Sequence, residues 1–536
     1  MIPFSLPSIV HWPALVSFLL VVVTAKKTPA NHVKKSFKIT PTPQELSSHG
    51  QAISLTLDVI KAIVSLAGEK VDVSSSSTAK RTQIVVGTQS ENQLAADIAR
   101  SLTGKSAHDL RPDGYILKPP SCSMAWTSVV SGAHIRDWPL MSIRGSIEGF
   151  YGEPWSHQAR LDQFVFYGKH EMNTYIYTPE DDPLLRAQWR TFYIGDALSQ
   201  LHGLIDTANA NHVDVTFASS PGLDLCYLPE ADFEATIKKF DQACKLGVRR
   251  FYIAFDDIPT VFHCDSDKAK WPDEGDWHWL VDAQAYYLYR VQEKYIVPNS
   301  LNDLKTADST YVTDKLFLWN NFPVNDGKRD RLFLNPLTGR APDLYKYLLG
   351  FTSNPMEQAY ASMPVLANYG DYMWNSPTYN ADDSMAAVLR ELAGADDKVH
   401  DALLAVVDLN QNWPYRSQEV HVPQLSQDID EFWTQQQKSL ASQNEHGKDI
   451  NIKPCKLIGR LDLLITLSNT LSRTAIKDFA DDVAPWSTAA MQWATSCQHL
   501  IAMLQALDQG DQATATTELQ TARSWVEKTK AKSVND

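Results

Sequence analysis

Arg249-Arg250-Phe251-Tyr252-Ile253-Ala254-Phe255-Asp256-Asp257 is a short, aromatic-rich apolar run that ends on two adjacent carboxylates. Its length and composition read as a β-strand, and the acid pair marks where the strand stops. Three earlier runs share this texture: Ser142 to Phe150, Asn173 to Tyr177 and Val213 to Ala218. Helical stretches such as Ser156 to Tyr167 and Phe233 to Leu246 lie between them. Strand–helix alternation of this kind implies parallel strands with helical crossovers, and an α/β fold of the (β/α)8 TIM-barrel type is the leading architecture. Lys315 to Trp319 and Glu357 to Met363 supply two more strands, so six are legible of the eight a closed barrel needs. Between Asp257 and Lys315 only helical spacing is readable, chiefly Trp277 to Tyr295, so the barrel is expected to be incomplete.

Polar residues collect where these strands end, and in a (β/α) barrel the C-terminal strand ends form the active-site face. Glu148-Gly149-Phe150-Tyr151-Gly152 ends the first strand and Glu180-Asp181-Asp182 follows the second. Ser220 to Asp224 follows the third, and Asp256-Asp257 ends the fourth. Trp319-Asn320-Asn321 and Asp326 follow the fifth, while Asn354 precedes the run read as the sixth. On a regular strand two neighbouring Asp point to opposite faces. At a strand end the backbone can turn, and two carboxylates in different surroundings can then hold different protonation states, as glycoside hydrolysis requires. The plainer alternative is that Asp-Asp caps the following helix.

The flanks read differently. Pro13 to Ala25 is an apolar run followed by Lys26-Lys27, too short to span a bilayer but suited to a secretory signal, so residues 1–25 are expected to be removed and the protein secreted. No Asn-x-Ser/Thr acceptor adds support to that expectation. Residues 26–141 read as a small α/β domain. Phe37 to Thr40 is strand-like, turn chemistry runs from Pro41 to Gly50, and Leu55 to Leu66 has helical spacing. Thr82 to Val86 reads as a strand and Leu94 to Leu102 as a helix. The barrel is expected over 142–380. Residues 381–536 show only helical spacing, in Ser384–Leu392, Val399–Val407, Leu457–Ile476, Thr488–Leu507 and Ala513–Lys528, and read as a helical bundle.

The formal net charge is −14, with no Lys/Arg block long enough to follow a phosphate backbone, so nucleic acid is excluded as a partner and a polyanionic substrate is disfavoured. The six cysteines show no metal-ligand spacing, and neither metal nor cofactor is expected. Cys455 and Cys497, in or beside C-terminal helices, could pair in a secreted protein; six separate thiols remain the alternative.

Arg144 to Trp155, Asn173 to Asp182, Ser220 to Asp224 and Phe255 to Ile258 together resemble the family 84 glycoside hydrolases, which include the O-GlcNAcases and other β-N-acetylglucosaminidases. Trp319 to Asp326 and Ser353 to Glu357 extend the resemblance in the same order. Pro41 to Gln44 resembles the start of the hexosaminidase-like domain that precedes such barrels. The resemblance implies substrate-assisted retention, in which the substrate's own 2-acetamido oxygen attacks the anomeric carbon and an oxazoline forms. It assigns Asp256 to the acetamido N–H and Asp257 to acid/base work. Gly149, Glu180, Trp319, Asn321, Asp326 and Asn354 fall at its sugar-binding positions. The implied partners are GlcNAc-bearing glycoproteins or oligosaccharides.

Two departures stand out. The family has a substrate-binding Lys where this chain has Glu180, which adds a third negative charge near Asp256 and Asp257. Weaker sugar binding and a raised pKa on a neighbouring Asp follow, and Glu180→Lys is expected to improve turnover. Two strands are missing after Asp257, and the stretch between Tyr115–Pro119 and Ile135–Pro139 is also shortened. The competing readings are therefore a GlcNAc-binding protein with impaired catalysis, a chain that has lost segments in splicing, or a hyaluronidase.

Overall fold

The computed structural model describes residues 20–22, 41–55, 83–85, 115–117 and 128–530, apart from 181, 274, 276–277, 297–315, 395, 412, 414–421, 447–455 and 477. The described residues divide into two compact units, one before Ile143 with Tyr372–Tyr379 and one holding Ile143–Asp371 with Asn380 onward.

In the first unit β1 (Leu20–Val22) pairs antiparallel with β3 (Gln83–Val85), close to the strand expected at Thr82 to Val86. β2 (Glu45–Leu55) and β4 (Tyr115–Leu117) both pair antiparallel with β5 (Ser128–Asp137). The Ser-Ser-His-Gly cluster expected as a turn lies inside β2, where the register slips between Ser48 and Ala52. Its turn chemistry marks an irregularity in a strand rather than the end of one. The expected elements at Phe37–Thr40, Leu94–Leu102 and beyond Leu55 lie outside the described residues. Asp137 ties this unit together, its carboxylate accepting from the Gln44 amide at 3.0 Å and Trp374 Nε1 at 2.9 Å.

The second unit is built on six parallel strands: β6 (Ile143–Glu148), β7 (Thr174–Tyr177), β8 (Asp214–Ser219), β9 (Arg250–Ile253), β10 (Leu316–Asn320) and β11 (Leu348–Ser353). Their order is β10-β11-β6-β7-β8-β9, a half-barrel in which, among the described residues, β9 and β10 are the two edges. The central strands are buried, as parallel strands covered on both faces must be. Ser156 caps the helix His157–Lys169, its Oγ accepting from the Ala159 amide, and Phe164 on that helix packs edge-on against Tyr175 of β7 at 5.1 Å. On β10, the edge of the sheet among the described residues, Phe317 and Leu318 are 40% and 37% exposed.

The sixth strand is not Glu357 to Met363. It lies earlier, at Leu348–Ser353, and Ala359–Asn375 is a helix. Every residue of that helix is buried, so it carries no amphipathic period to read. Gly350 lets β11 approach β6, since a Cβ there would lie 2.5 Å from Ile143 Cβ. Past Ala381 the chain is helical, with Ala381–Ala393, Asp397–Leu409, Lys456–Ile465, Leu467–Leu471, Ala484–Asp508 and Gln512–Lys530 near their expected places. Pro423–His446 is a further helix, which the spacing did not suggest. No helix among the described residues is long and apolar enough to cross a membrane.

The disulfide joins Cys226 to Cys264, not Cys455 to Cys497. Cys497 is a free thiol and Cys455 lies outside the described residues. Cys226 and Cys264 sit in the loops after the adjacent strands β8 and β9. Asp267 bridges those loops by accepting from the Tyr227 and Leu228 amides at 2.7 and 3.0 Å. Strand order creates this proximity, and cysteine spacing alone does not report it.

Candidate active site

The last ladder bond at the end of β9 runs from the Ala254 amide to the Ser219 carbonyl, 2.9 Å. The chain then turns, and Asp257 takes φ +49°, a left-handed conformation that Asp tolerates better than most residues. Strict alternation ends here, so Asp256 and Asp257 are not forced to opposite faces. Both are exposed. Tyr151, on the loop after β6, donates its hydroxyl to Asp257 Oδ2 at 3.0 Å. Burial and that hydrogen bond push the Tyr151 pKa well above its usual value, so it stays a proton donor. Its backbone amide donates to Asp326 Oδ2 at 3.0 Å. Tyr151 therefore links the loops after β6, β9 and β10.

The amide-bearing side of the site follows β10 and β11. Asn354 is at the C-terminal end of β11 rather than ahead of the last strand, so it lies at the same end of the sheet as the acid pair. It is 3% exposed; its Nδ2 donates to Asn321 Oδ1 at 3.1 Å, and its Oδ1 accepts from the Gly149 amide at 3.4 Å. Buried Asn325 holds the loop that carries Asp326, donating to the Arg331 carbonyl and Gln358 Oε1 and accepting from the Glu357 amide. Trp319 stands against Gly149: a Cβ at Gly149 would lie 2.8 Å from its Cζ2. The neighbour that requires glycine here is an indole. Trp319 Nε1 is buried and has no hydrogen-bond partner among the described residues.

Glu180 follows β7, its side chain 5% exposed and ion-paired with Arg186 Nη1 at 2.8 Å. Arg186 also reaches Ser220 Oγ at 3.3 Å and the Asp257 carbonyl at 2.7 Å. Burial raises the Glu180 pKa to about 7; Arg186 opposes the shift, and the charges of Asp256 and Asp257 add to it. The Glu180 side chain is buried where Asp256 and Asp257 are exposed, which is why burial leads its upward shift.

Other strand-end acids belong to the scaffold. Glu148 is fully buried and accepts from Arg160 at 2.7 and 2.9 Å, the Trp155 amide at 3.2 Å and the Tyr175 hydroxyl. Asp182 accepts from Tyr177, Tyr193 and the Leu184 amide at 2.7–2.9 Å. Asp224 accepts from Trp189 Nε1 and Arg190. Cys226, Cys264 and Asp267 lie close enough together to suggest a metal site, but their two sulfurs are bonded to each other. Tyr151 and Arg186 were not singled out from the sequence. Tyr151 lies inside the Gly149–Gly152 motif and could have been; Arg186 sits in a turn with no distinguishing pattern.

The sequence pattern of the beta-N-acetylglucosaminidase family matches residues 144–313 and 296–408, the span that carries every one of these residues. The chain belongs to that family of glycoside hydrolases. Its two matched stretches overlap at 296–313, in the chain between β9 and β10. Among curated members, the protein O-GlcNAcases of Rattus norvegicus and Mus musculus are each 29% identical over 270 residues, covering 42% of this chain. The chain spans only 29% of their length. Among solved structures, CpGH84B superposes with a TM-score of 0.68 at 21% identity, covering 92% of this chain and 97% of that one. An O-GlcNAc hydrolase variant from Thermobaculum terrenum gives 0.57 at 24% identity, covering 73% and 89%. These two likenesses are of fold.

Proposed function

We propose that this chain is a retaining exo-β-N-acetylglucosaminidase, releasing terminal β-linked GlcNAc from glycoproteins or oligosaccharides by substrate-assisted catalysis. The acetamido oxygen attacks the anomeric carbon as the bond to the aglycone breaks, and Asp257 gives its proton to the leaving oxygen. Asp256 accepts a hydrogen bond from the acetamido N–H and orients the group. Asp257, now a carboxylate, takes a proton from water as that water attacks the anomeric carbon. The oxazoline carbon–oxygen bond breaks and the acetamide is restored. Asn321, Asp326 and Asn354 supply polar contacts to the sugar, and the Trp319 N–H, without a partner among the described residues, is a further donor. The observation that carries this reading is the turned Asp256-Asp257 pair, with Asp257 held by Tyr151. Secretion is part of the proposal, supported by the N-terminal apolar run and by the Cys226–Cys264 disulfide, a bond suited to an oxidising compartment.

A second reading, a GlcNAc-binding protein without turnover, draws support from the Glu180–Arg186 pair beside Asp257 and from the six strands, of the eight in a closed barrel, among the described residues. Hydrolysis of 4-nitrophenyl β-N-acetylglucosaminide separates the two. The wild type should turn over and Asp257→Ala should lose about 10²- to 10⁴-fold in rate. GlcNAc binding without turnover by the wild type would replace the hydrolase with the second reading.

A further inference from the structure

Arg186 is the one cation bonded to the main chain of the acid pair among the contacts described. Its Nη2 donates to the Asp257 carbonyl at 2.7 Å, at the residue whose φ of +49° is unusual for a side-chain-bearing residue. Such conformations persist where the surroundings over-determine them. The turn that presents Arg186 is itself pinned. The Leu185 carbonyl accepts from the Ser220 amide at 2.9 Å, the Leu184 carbonyl accepts from Lys239 Nζ at 3.0 Å, and Asp182 accepts from the Leu184 amide at 2.8 Å. Trp189, fully buried, locks the far side through Asp224. The Arg186 side chain is only 14% exposed, and Glu180 pairs with the other terminal nitrogen of its guanidinium.

We infer that Arg186 is a positioning residue that clamps the Asp257 backbone in its left-handed turn, and that Glu180 serves as the anchor of Arg186 rather than as a contact to the sugar. The clamp acts through Asp257 and touches no substrate atom. It rests on the hydrolase reading for its role in turnover, while its mechanical part can be measured without turnover. It also reverses the expectation drawn from the sequence. A lysine at 180 removes the acceptor and sets an ammonium against the guanidinium, so Glu180→Lys should impair the site.

The first measurement is amide hydrogen exchange of the peptide spanning Ala254–Thr260, in the wild type, Arg186→Met and Arg186→Lys. Arg186→Met should exchange at least about tenfold faster there with the rest of the protein unchanged, and Arg186→Lys, which keeps one donor, should fall between. Equal exchange in all three overturns the clamp, whether or not the protein is an enzyme. The second is turnover of 4-nitrophenyl β-N-acetylglucosaminide. Arg186→Met and Glu180→Lys should each lower kcat by about 30-fold or more with KM moved less than about threefold, and Arg186→Lys should recover part of the loss. A raised KM with kcat intact, or a higher kcat/KM in Glu180→Lys, would place these side chains on the sugar and end the proposal. A wild type inactive on this substrate counts against the hydrolase reading, and the exchange result alone then decides the clamp.

Discussion

Two carboxylate–arginine pairs stand at the ends of neighbouring strands. Glu148 with Arg160 closes β6, and Glu180 with Arg186 follows β7, at nearly equal distances of 2.7 and 2.8 Å. Their surroundings separate them. Glu148 is saturated by two guanidinium nitrogens, an amide and a phenol, and has no capacity left for a ligand. Glu180 shares its neighbourhood with two more carboxylates, and burial raises its pKa to about 7, so near neutral pH it can both pair with Arg186 and take up a proton. Place on the strand-end ring therefore does not make an acid functional. The number of partners already bound to it does, because a fully satisfied buried group holds structure and an under-satisfied one can answer to a charge.

The most forceful way to break this comparison is to remove each arginine. Arg160→Met would leave Glu148 buried without its counter-charge, and breaking a pair of this kind costs about 3–5 kcal/mol. The protein should unfold at markedly lower denaturant concentration, with the slope of the transition unchanged. Arg186→Met should cost no more than about 1 kcal/mol globally, since Glu180 can take up a proton instead of standing unpaired. Equal losses in the two variants would erase the distinction.

A smaller effect tests the other side of the site. Gly149→Ala would press a methyl against the Trp319 ring, and overpacking of this kind costs about 1–3 kcal/mol. Because the indole must move, tryptophan emission should shift and KM for an aryl glucosaminide should rise. Unaltered emission and stability would mean that the close approach does not constrain Trp319.

How far the site was legible follows from the same contrast. Periodicity gave β6 to β9 and the acid pair, because short apolar runs ending in acids and glycines are local signals. It misplaced β11, because the helix that follows is buried all round and looks as apolar as a strand. Asn354 was therefore assigned to the wrong end of its strand, although its residue type was right. Arg186 was invisible for a different reason. Its partners are six, thirty-four and seventy-one positions away, brought together only by the parallel order β7-β8-β9. The disulfide between the loops after β8 and β9 was missed on the same ground.

The gentlest probe is pH. Burial raises Glu180 to about 7 from an ordinary 4.5, so between those values the folded protein binds more protons at this site than the unfolded chain. The stability this contributes is fully present below about pH 4.5 and is lost as pH rises through about 7. After allowance for solvent screening the loss should be about 1–2 kcal/mol. Asp371 and Asp482, each raised to about 6 chiefly by burial, act in the same direction elsewhere in the unit, so the raw pH–stability curve mixes all three. Glu180→Gln isolates one of them. Glutamine keeps an acceptor for Arg186 but cannot titrate, so the wild-type curve minus the variant curve should fall between about pH 5 and 7 and be flat on either side. A flat difference throughout would mean that Glu180 is charged in both states, and that the two arginine pairs differ in location alone.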